Sequence, residues 1–185
     1  MQLLCAQVGG DLNLESYKSM PVLQKITPAF TARLKVARLQ ALQDAPTAFG
    51  STYAEESQLS EMDWLQRAVA LNQGGSVGYL MLDDGLPCGM ARGYLDEMDP
   101  QRAHVASMWV AAAYRRIGLG MRLLLSVETW ATECGARELL LTVTNTNNAP
   151  LNQNLSLPRF ASISDSIGFC AWPWFSLRQL EELND

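Results

Sequence analysis

The run Arg115-Arg116-Ile117-Gly118-Leu119-Gly120-Met121 holds the residue types that bind a small polyanion. Two glycines one residue apart let the backbone come close to a ligand and leave N–H donors free at a helix start. Those donors, the helix dipole and two adjacent guanidinium groups make an anion site, and phosphate is its usual occupant. Arg122 adds a third cation to this cluster, inside a chain of formal net charge -5. A local basic cluster in an acidic chain suits a small polyanion and argues against nucleic acid as the main partner. No Gly-Lys-Ser/Thr is present at this turn, so it is not a nucleotide triphosphate loop. The third glycine of a dinucleotide fingerprint would fall at Leu123, so that motif fails as well.

The elements that must carry this loop are legible on either side. Ala103 to Val110 reads as a strand. Leu119, Leu123, Leu124, Val127 and Ala131 recur close to a 3.6 period, which predicts a helix ending near Cys134-Gly135. Glu138 to Val143 is the next strand. Upstream, Val22 to Ile26 is a strand, and Thr27-Pro28 starts a helix at cap and first-turn positions. Its apolar face is Phe30, Leu34, Ala37, Leu39 and Leu42, and Ala45-Pro46 stops it. A second helix is capped at Ser60 or Asp63, runs to about Leu71 and ends in Asn72 to Gly75. Val77 to Leu82 and Pro87 to Leu95 are strands joined by a hairpin turn at Asp83-Asp84-Gly85.

Arg-x-x-Gly-x-Gly, set between a Met-Trp-Val strand end and an amphipathic helix, resembles the acetyl-CoA pyrophosphate loop of the GNAT superfamily of N-acetyltransferases. The words Leu39-x-x-Leu42-x-x-Ala45-Pro46-x-x-Phe49-Gly50-Ser51 also look like the first helix and loop of many bacterial members. The likeness runs from about Pro21 to Asn148. It implies an α/β fold: a mixed, mostly antiparallel central sheet flanked by helices. It also implies acetyl-CoA as cosubstrate, with no metal, and direct transfer of the acetyl group to a small-molecule or peptide primary amine in a ternary complex. By the same resemblance, the backbone of Met108, Trp109 and Val110 contacts the pantetheine arm where the strand splays from its neighbour. Arg115, Arg116, Ile117, Gly118, Leu119, Gly120 and Met121 hold the pyrophosphate, and Asn148 lies on the cofactor side. Several members place a Glu or His base four residues before the first pantetheine contact, which is His104 here.

His104 is the single histidine, and an ordinary imidazole accepts a proton near neutral pH. Strand alternation puts His104, Ala106, Met108 and Val110 on one face. The acidic groups Glu55-Glu56 and Asp96, Glu97 and Asp99 are candidates to attract a cationic amine or to relay protons through water.

Cys5, Cys88, Cys134 and Cys170 form no Cys-x-x-Cys pair, which with one histidine excludes a structural zinc site. Reduced thiols and a cytoplasmic location follow as expectations. The first residues lack the basic region and apolar core of a signal peptide, and no run of about 18 apolar residues predicts a membrane span. Residues 1–20 read as an extension, with Met20 an alternative start. Residues 21–177 read as the single domain, atypical from about 149, and 178–185 as a short tail.

The family continues after the last strand with Asn-x-x-Ala, a helix bearing a tyrosine acid, and Gly-Phe. Here Asn145, Asn147, Asn148, Asn152 and Asn154, with Pro150 and Pro158, read as loop. Gly168-Phe169 comes late, Ser164 stands where the tyrosine would, and no tyrosine follows Tyr114. Cys170 to Leu177 supplies one closing strand, and the sheet edge left over is suited to a homodimer. A non-catalytic acyl-CoA-binding or sensor domain of the same fold is therefore the alternative function. A different α/β protein that binds a phosphate ligand at Gly118 and Gly120 is the third.

Overall fold

A computed structural model describes residues 20–141. Asn148, the asparagine-rich run, Ser164, Gly168-Phe169, Cys170 to Leu177, the tail and residues 1–19 lie outside the described residues. The chain enters with β1 (Val22–Lys25), followed by a 3-10 turn at Pro28–Phe30 and α1 (Thr31–Asp44). Thr27 is extended and makes no side-chain cap, so the predicted start is corrected. Pro28 opens the tighter turn, and the α-helix begins only at Thr31, whose Oγ1 donates to the Pro28 carbonyl at 2.7 Å. The helix ends at Asp44, as the sequence predicts, because the residue before Pro46 is pushed out of helical conformation.

Two short reciprocal caps set the next helices. Thr52 and Glu55 cap α2 (Tyr53–Glu56), a helix that the sequence reading did not contain. Ser60 and Asp63, read as alternatives, act together: each side chain accepts from the other's backbone N–H at the start of α3 (Glu61–Ala70). The strands β2 (Ser76–Asp83) and β3 (Leu86–Leu95) form a hairpin. Its turn residues Asp84 and Gly85 both have positive φ, the geometry that matches the twist of paired strands. Then come β4 (Arg102–Val110), α4 (Leu119–Glu133) and β5 (Glu138–Leu141).

The sheet order is β1-β2-β3-β4-β5, antiparallel except for the β4–β5 pair. It is the mixed, mostly antiparallel sheet that was expected. α4 covers one face, where Leu123, Leu124 and Val127 pack on Val77, Met81, Ala103 and Val105. Each such aliphatic side chain contributes about 1.5–3 kcal/mol by leaving water. Contact on this face is close enough to require glycine at position 93, since a Cβ there would meet Val127 at 2.6 Å. α1 and α3 cover the other face through Leu34, Ala37, Leu42, Trp64 and Ala68 against Leu80, Leu82, Met90 and Trp109.

β4 does not alternate along its whole length. Met90 pairs with Trp109 and Arg92 with Ala106, so Ala91 alone faces both Ser107 and Met108. This is a β-bulge, and Ser107 takes φ 52 to make it. The extra residue reverses the faces. Ala103, Val105, Met108 and Val110 share the α4 side, while His104 and Trp109 belong to the α1 and α3 side. The expected common face for His104, Ala106, Met108 and Val110 is thus corrected. A left-handed serine costs on the order of 1 kcal/mol or more, and such strain concentrates at functional sites.

Candidate functional site

The loop after β4 carries the predicted anion site. Val110 ends the strand, Ala112–Tyr114 makes a 3-10 turn, and Arg116 takes φ 62. Gly118 is the N-cap of α4 with φ 82 and ψ 5, a conformation that costs any residue with a Cβ. No acidic side chain lies in the first turn of α4. The Arg122 N–H makes the bond to the Gly118 carbonyl at 3.1 Å, so the N–H groups of Leu119, Gly120 and Met121 precede the helical ladder. Leu119 and Gly120 are buried, Met121 is half-buried, and Ile117 is exposed.

The three arginines of the basic cluster separate by role. Arg116 is exposed and left-handed, at the mouth of the loop. The Arg122 guanidinium donates to the Pro21 carbonyl at 3.0 Å and ties α4 to the start of β1. Arg115 donates to the Val110 carbonyl at 3.0 Å and pairs with Asp44 at the end of α1. The same Asp44 oxygen accepts the Trp109 indole N–H at 3.0 Å. The Arg115 side chain therefore braces the loop against α1.

The loop fits the pyrophosphate of acetyl-CoA by charge and by its free donors. Along β4 the described pairing with β5 ends at Val105–Leu141. Leu141 is also the last described residue, so any pairing of β4 beyond Val105 on that side lies outside the described residues.

On the opposite face, α1, α3, β3 and β4 enclose a cleft of about 200 Å³. Ser107 of the bulge, Arg92 of β3, Arg38 of α1 and Arg67 of α3 line it. Glu56 is buried behind Arg38 and Arg67. Its carboxylate accepts from Arg38 Nη2 at 2.7 Å, from Arg67 Nη1 at 2.8 Å, and from the Ser51 hydroxyl. Burial opposes the charge on Glu56, yet the hydrogen bonds from Arg38 and Ser51 and the two guanidinium charges outweigh it and hold the carboxyl below its usual value. Burial pulls the Arg38 and Arg92 guanidinium groups below theirs. Glu55 is taken up by its helix cap. Glu56 is therefore not free to draw in an amine, while Glu55 stays exposed at the surface.

His104 stacks on Tyr94, its cross-strand partner, with ring centroids 4.8 Å apart. Its Nε2 lies 3.0 Å from Asp96 Oδ2. That contact, with N–H groups of Met98 and Asp99, lowers the Asp96 carboxyl from its ordinary value. His104 faces the same side as Arg92 but does not line the cleft. It stands roughly 10 Å along β4 from Ser107 at the strand rise of ~3.3 Å per residue. Tyr114 donates to Asp83 Oδ2 at 2.6 Å, and this bond pushes its hydroxyl up to about 12.

Arg38, Arg67, Arg92, Ser107 and Asp44 are absent from the sequence reading of the site. One signal existed. Arg38 interrupts the apolar stripe Leu34, Ala37, Ala41 and Leu42 on the buried face of α1, and a buried charge needs a partner.

Among the described residues no helix is long and apolar enough to cross a membrane. The acetyltransferase (GNAT) family profile matches residues 39–152. No curated protein sequence matches the chain. Solved structures are similar in fold. A GNAT-family acetyltransferase from Streptococcus pneumoniae is 21% identical with a TM-score of 0.54, over 65% of this chain and 73% of its own. An aminoglycoside acetyltransferase from an uncultured soil metagenomic sample is 14% identical with a TM-score of 0.56, over 68% and 81%. A predicted acetyltransferase from Clostridium acetobutylicum, solved with acetyl-CoA, is 14% identical with a TM-score of 0.53, over 66% and 80%. The profile match across most of the chain, and the sheet and loop geometry that agree with it, place this chain in the GNAT family of acetyltransferases.

Proposed function

We propose that the chain is an acetyl-CoA-dependent N-acetyltransferase acting on a primary amine by direct attack. The observation that carries this reading is the start of α4: a left-handed Gly118, free N–H groups behind it, no acid in the first turn and an exposed Arg116. Acetyl-CoA would supply the acetyl group as a thioester. Arg116, Gly118, Gly120 and their neighbours would hold its pyrophosphate. The backbone of Met108 to Val110 would orient the arm and polarise the carbonyl. The acceptor nitrogen then forms its bond to the carbonyl carbon, the C–S bond breaks, the thiolate leaves, and the amine proton passes to a base.

His104 is our candidate for that base, reached through water. Asp96 is placed to hold its ring. Tyr114 is no replacement acid, because its proton is held by Asp83. A thiolate of ordinary pKa, ~8.5, leaves without full protonation, so the chemistry runs without that acid.

The test is thermal unfolding with acetyl-CoA, CoA, ATP and NAD. A ligand at ~100-fold its dissociation constant stabilises the native state by ~2.7 kcal/mol. Acetyl-CoA and CoA should raise Tm. A shift with ATP or NAD and none with CoA overturns the reading. The absence of any tyrosine after Tyr114 favours one second reading, a non-catalytic acyl-CoA sensor. Tight CoA binding without turnover of any amine in a broad panel would select it.

A further inference from the structure

The cleft between the helices and the bulge is charged in the opposite sense to the chain. Three guanidinium groups line it, and among the described residues the carboxylate of Glu56 pairs with two of them, Arg38 and Arg67. Arg92 does not share it. Its Nε donates to the Ser76 hydroxyl at 3.3 Å and its guanidinium lies over the Tyr94 ring, with no acidic partner among the described residues. A half-buried guanidinium without a counter-ion is costly unless a ligand supplies one.

Two further donors stand at the same cleft. Trp64 is fully buried, and its indole N–H has no acceptor among the described residues. Ser107, turned out of alternation by the bulge, adds a hydroxyl. The remaining walls are hydrocarbon: Ile26, Leu34, Leu71 and Met90. The cleft therefore offers a planar anion-binding fork beside an apolar pocket. A polycationic acceptor would bring like charge against three guanidinium groups.

We infer that the acceptor is an amine that also bears a carboxylate, of the kind of a free amino acid with an apolar side chain. Arg92 takes the carboxylate, with Arg67 on the facing wall. The apolar lining takes the side chain, and the amine is left toward the bulge of β4. The inference rests on the acetyltransferase reading of the chain and deepens it.

The experiment uses the full chain at saturating acetyl-CoA and follows release of the CoA thiol. The acceptors are leucine, methionine and phenylalanine, their amides, and spermidine. The amino acids should be acetylated, with KM at least about tenfold below that of the amides, since a charged hydrogen bond is worth about 1.5–3 kcal/mol. Arg92→Gln should raise KM for leucine about tenfold to a hundredfold by the same measure and affect leucinamide far less. Arg92→Lys should recover part of the loss, because it keeps the charge without the fork. Calorimetry of N-acetyl-leucine and N-acetyl-leucinamide on the CoA-loaded protein reads the same preference without turnover. Preference for amides or spermidine overturns the inference. So does a folded Arg92→Gln protein that treats leucine as wild type does, or CoA-loaded protein that binds no carboxylate ligand. Failure of acetyl-CoA itself to bind overturns the underlying reading, and this one with it.

Discussion

Trp109 and Arg115 donate to the same oxygen, Oδ2 of Asp44. One residue is the last but one of the strand that would carry the thioester, the other sits in the loop that would carry the phosphates, and their shared acceptor is the last residue of α1. Asp44→Ala should therefore act on both. A buried indole N–H loses its acceptor and an arginine loses its ion pair, a loss of about 1–3 kcal/mol. The Tm should fall, and acetyl-CoA affinity should fall with it as the loop loses its brace. Asp44→Asn, which keeps an acceptor for the indole, should recover more of the Tm than of the affinity. Thermal melts and calorimetry on the two variants separate these effects, and unchanged affinity in both would show that the brace serves the fold alone.

Gly118 and Gly120 differ in what they require. Around Gly118 there is open space but a φ of 82, so Gly118→Ala should cost about 1–2 kcal/mol in stability through backbone strain. Gly118→Asn should cost less, because asparagine tolerates that conformation. Gly120→Glu should abolish stabilisation by acetyl-CoA by setting a carboxylate against the phosphates. Arg116→Ala should weaken CoA binding modestly and reduce its salt dependence, as an exposed phosphate contact is screened. A Gly120→Glu protein that stays folded and binds CoA as wild type does would reduce the loop to a structural turn.

Much of this was legible in the chain. The hairpin at Asp84-Gly85, the stop at Ala45-Pro46 and the apolar stripe of α4 rest on local rules that neighbouring residues state directly. The bulge was not legible. Ala103 to Val110 contains no glycine or proline, and a serine announces no left-handed backbone, so unbroken alternation was the natural reading. The cleft was hidden for a different reason. Arg38, Arg67 and Arg92 lie on three elements, and only tertiary packing brings them together.

Glu56 gives a stability prediction with a defined sign. Its folded-state pKa is lowered, so the stabilisation it brings is fully present above the unfolded carboxyl value of ~4.3 and is lost as pH falls through the lower folded value. Glu56→Gln leaves two guanidinium groups without their buried carboxylate and should cost about 3–5 kcal/mol at neutral pH. Chemical denaturation of wild type and variant from neutral to acid pH should show the difference shrinking below about pH 4. A difference that holds constant to pH 2 would mean that the pair contributes by packing and not by charge.

His104→Ala should leave acetyl-CoA binding intact and lower kcat/KM about 10²–10⁴-fold at neutral pH, the usual worth of a general base. The wild-type pH–rate profile should show a rising limb that is absent from the variant. His104→Gln, which preserves some stacking on Tyr94, should match alanine in rate while melting closer to wild type. Equal limbs and similar rates in all three would make His104 a cross-strand stacking residue only, with Glu55 and Glu97 then the acidic groups left to test.

The extra residue at Ser107 makes β4 a strand with two phases. Upstream of it, odd positions turn to α4; downstream, even positions do. A single-codon deletion within Ser107-Met108 would therefore be the one length change that β4 can absorb. By removing the extra residue it would restore plain alternation, with Trp109 and Val110 still on their present faces and the Trp109 indole still toward Asp44. A residue inserted elsewhere in β4 would instead turn every side chain between it and one end of the strand to the opposite face. Length in this strand is thus tightly specified everywhere except at the bulge.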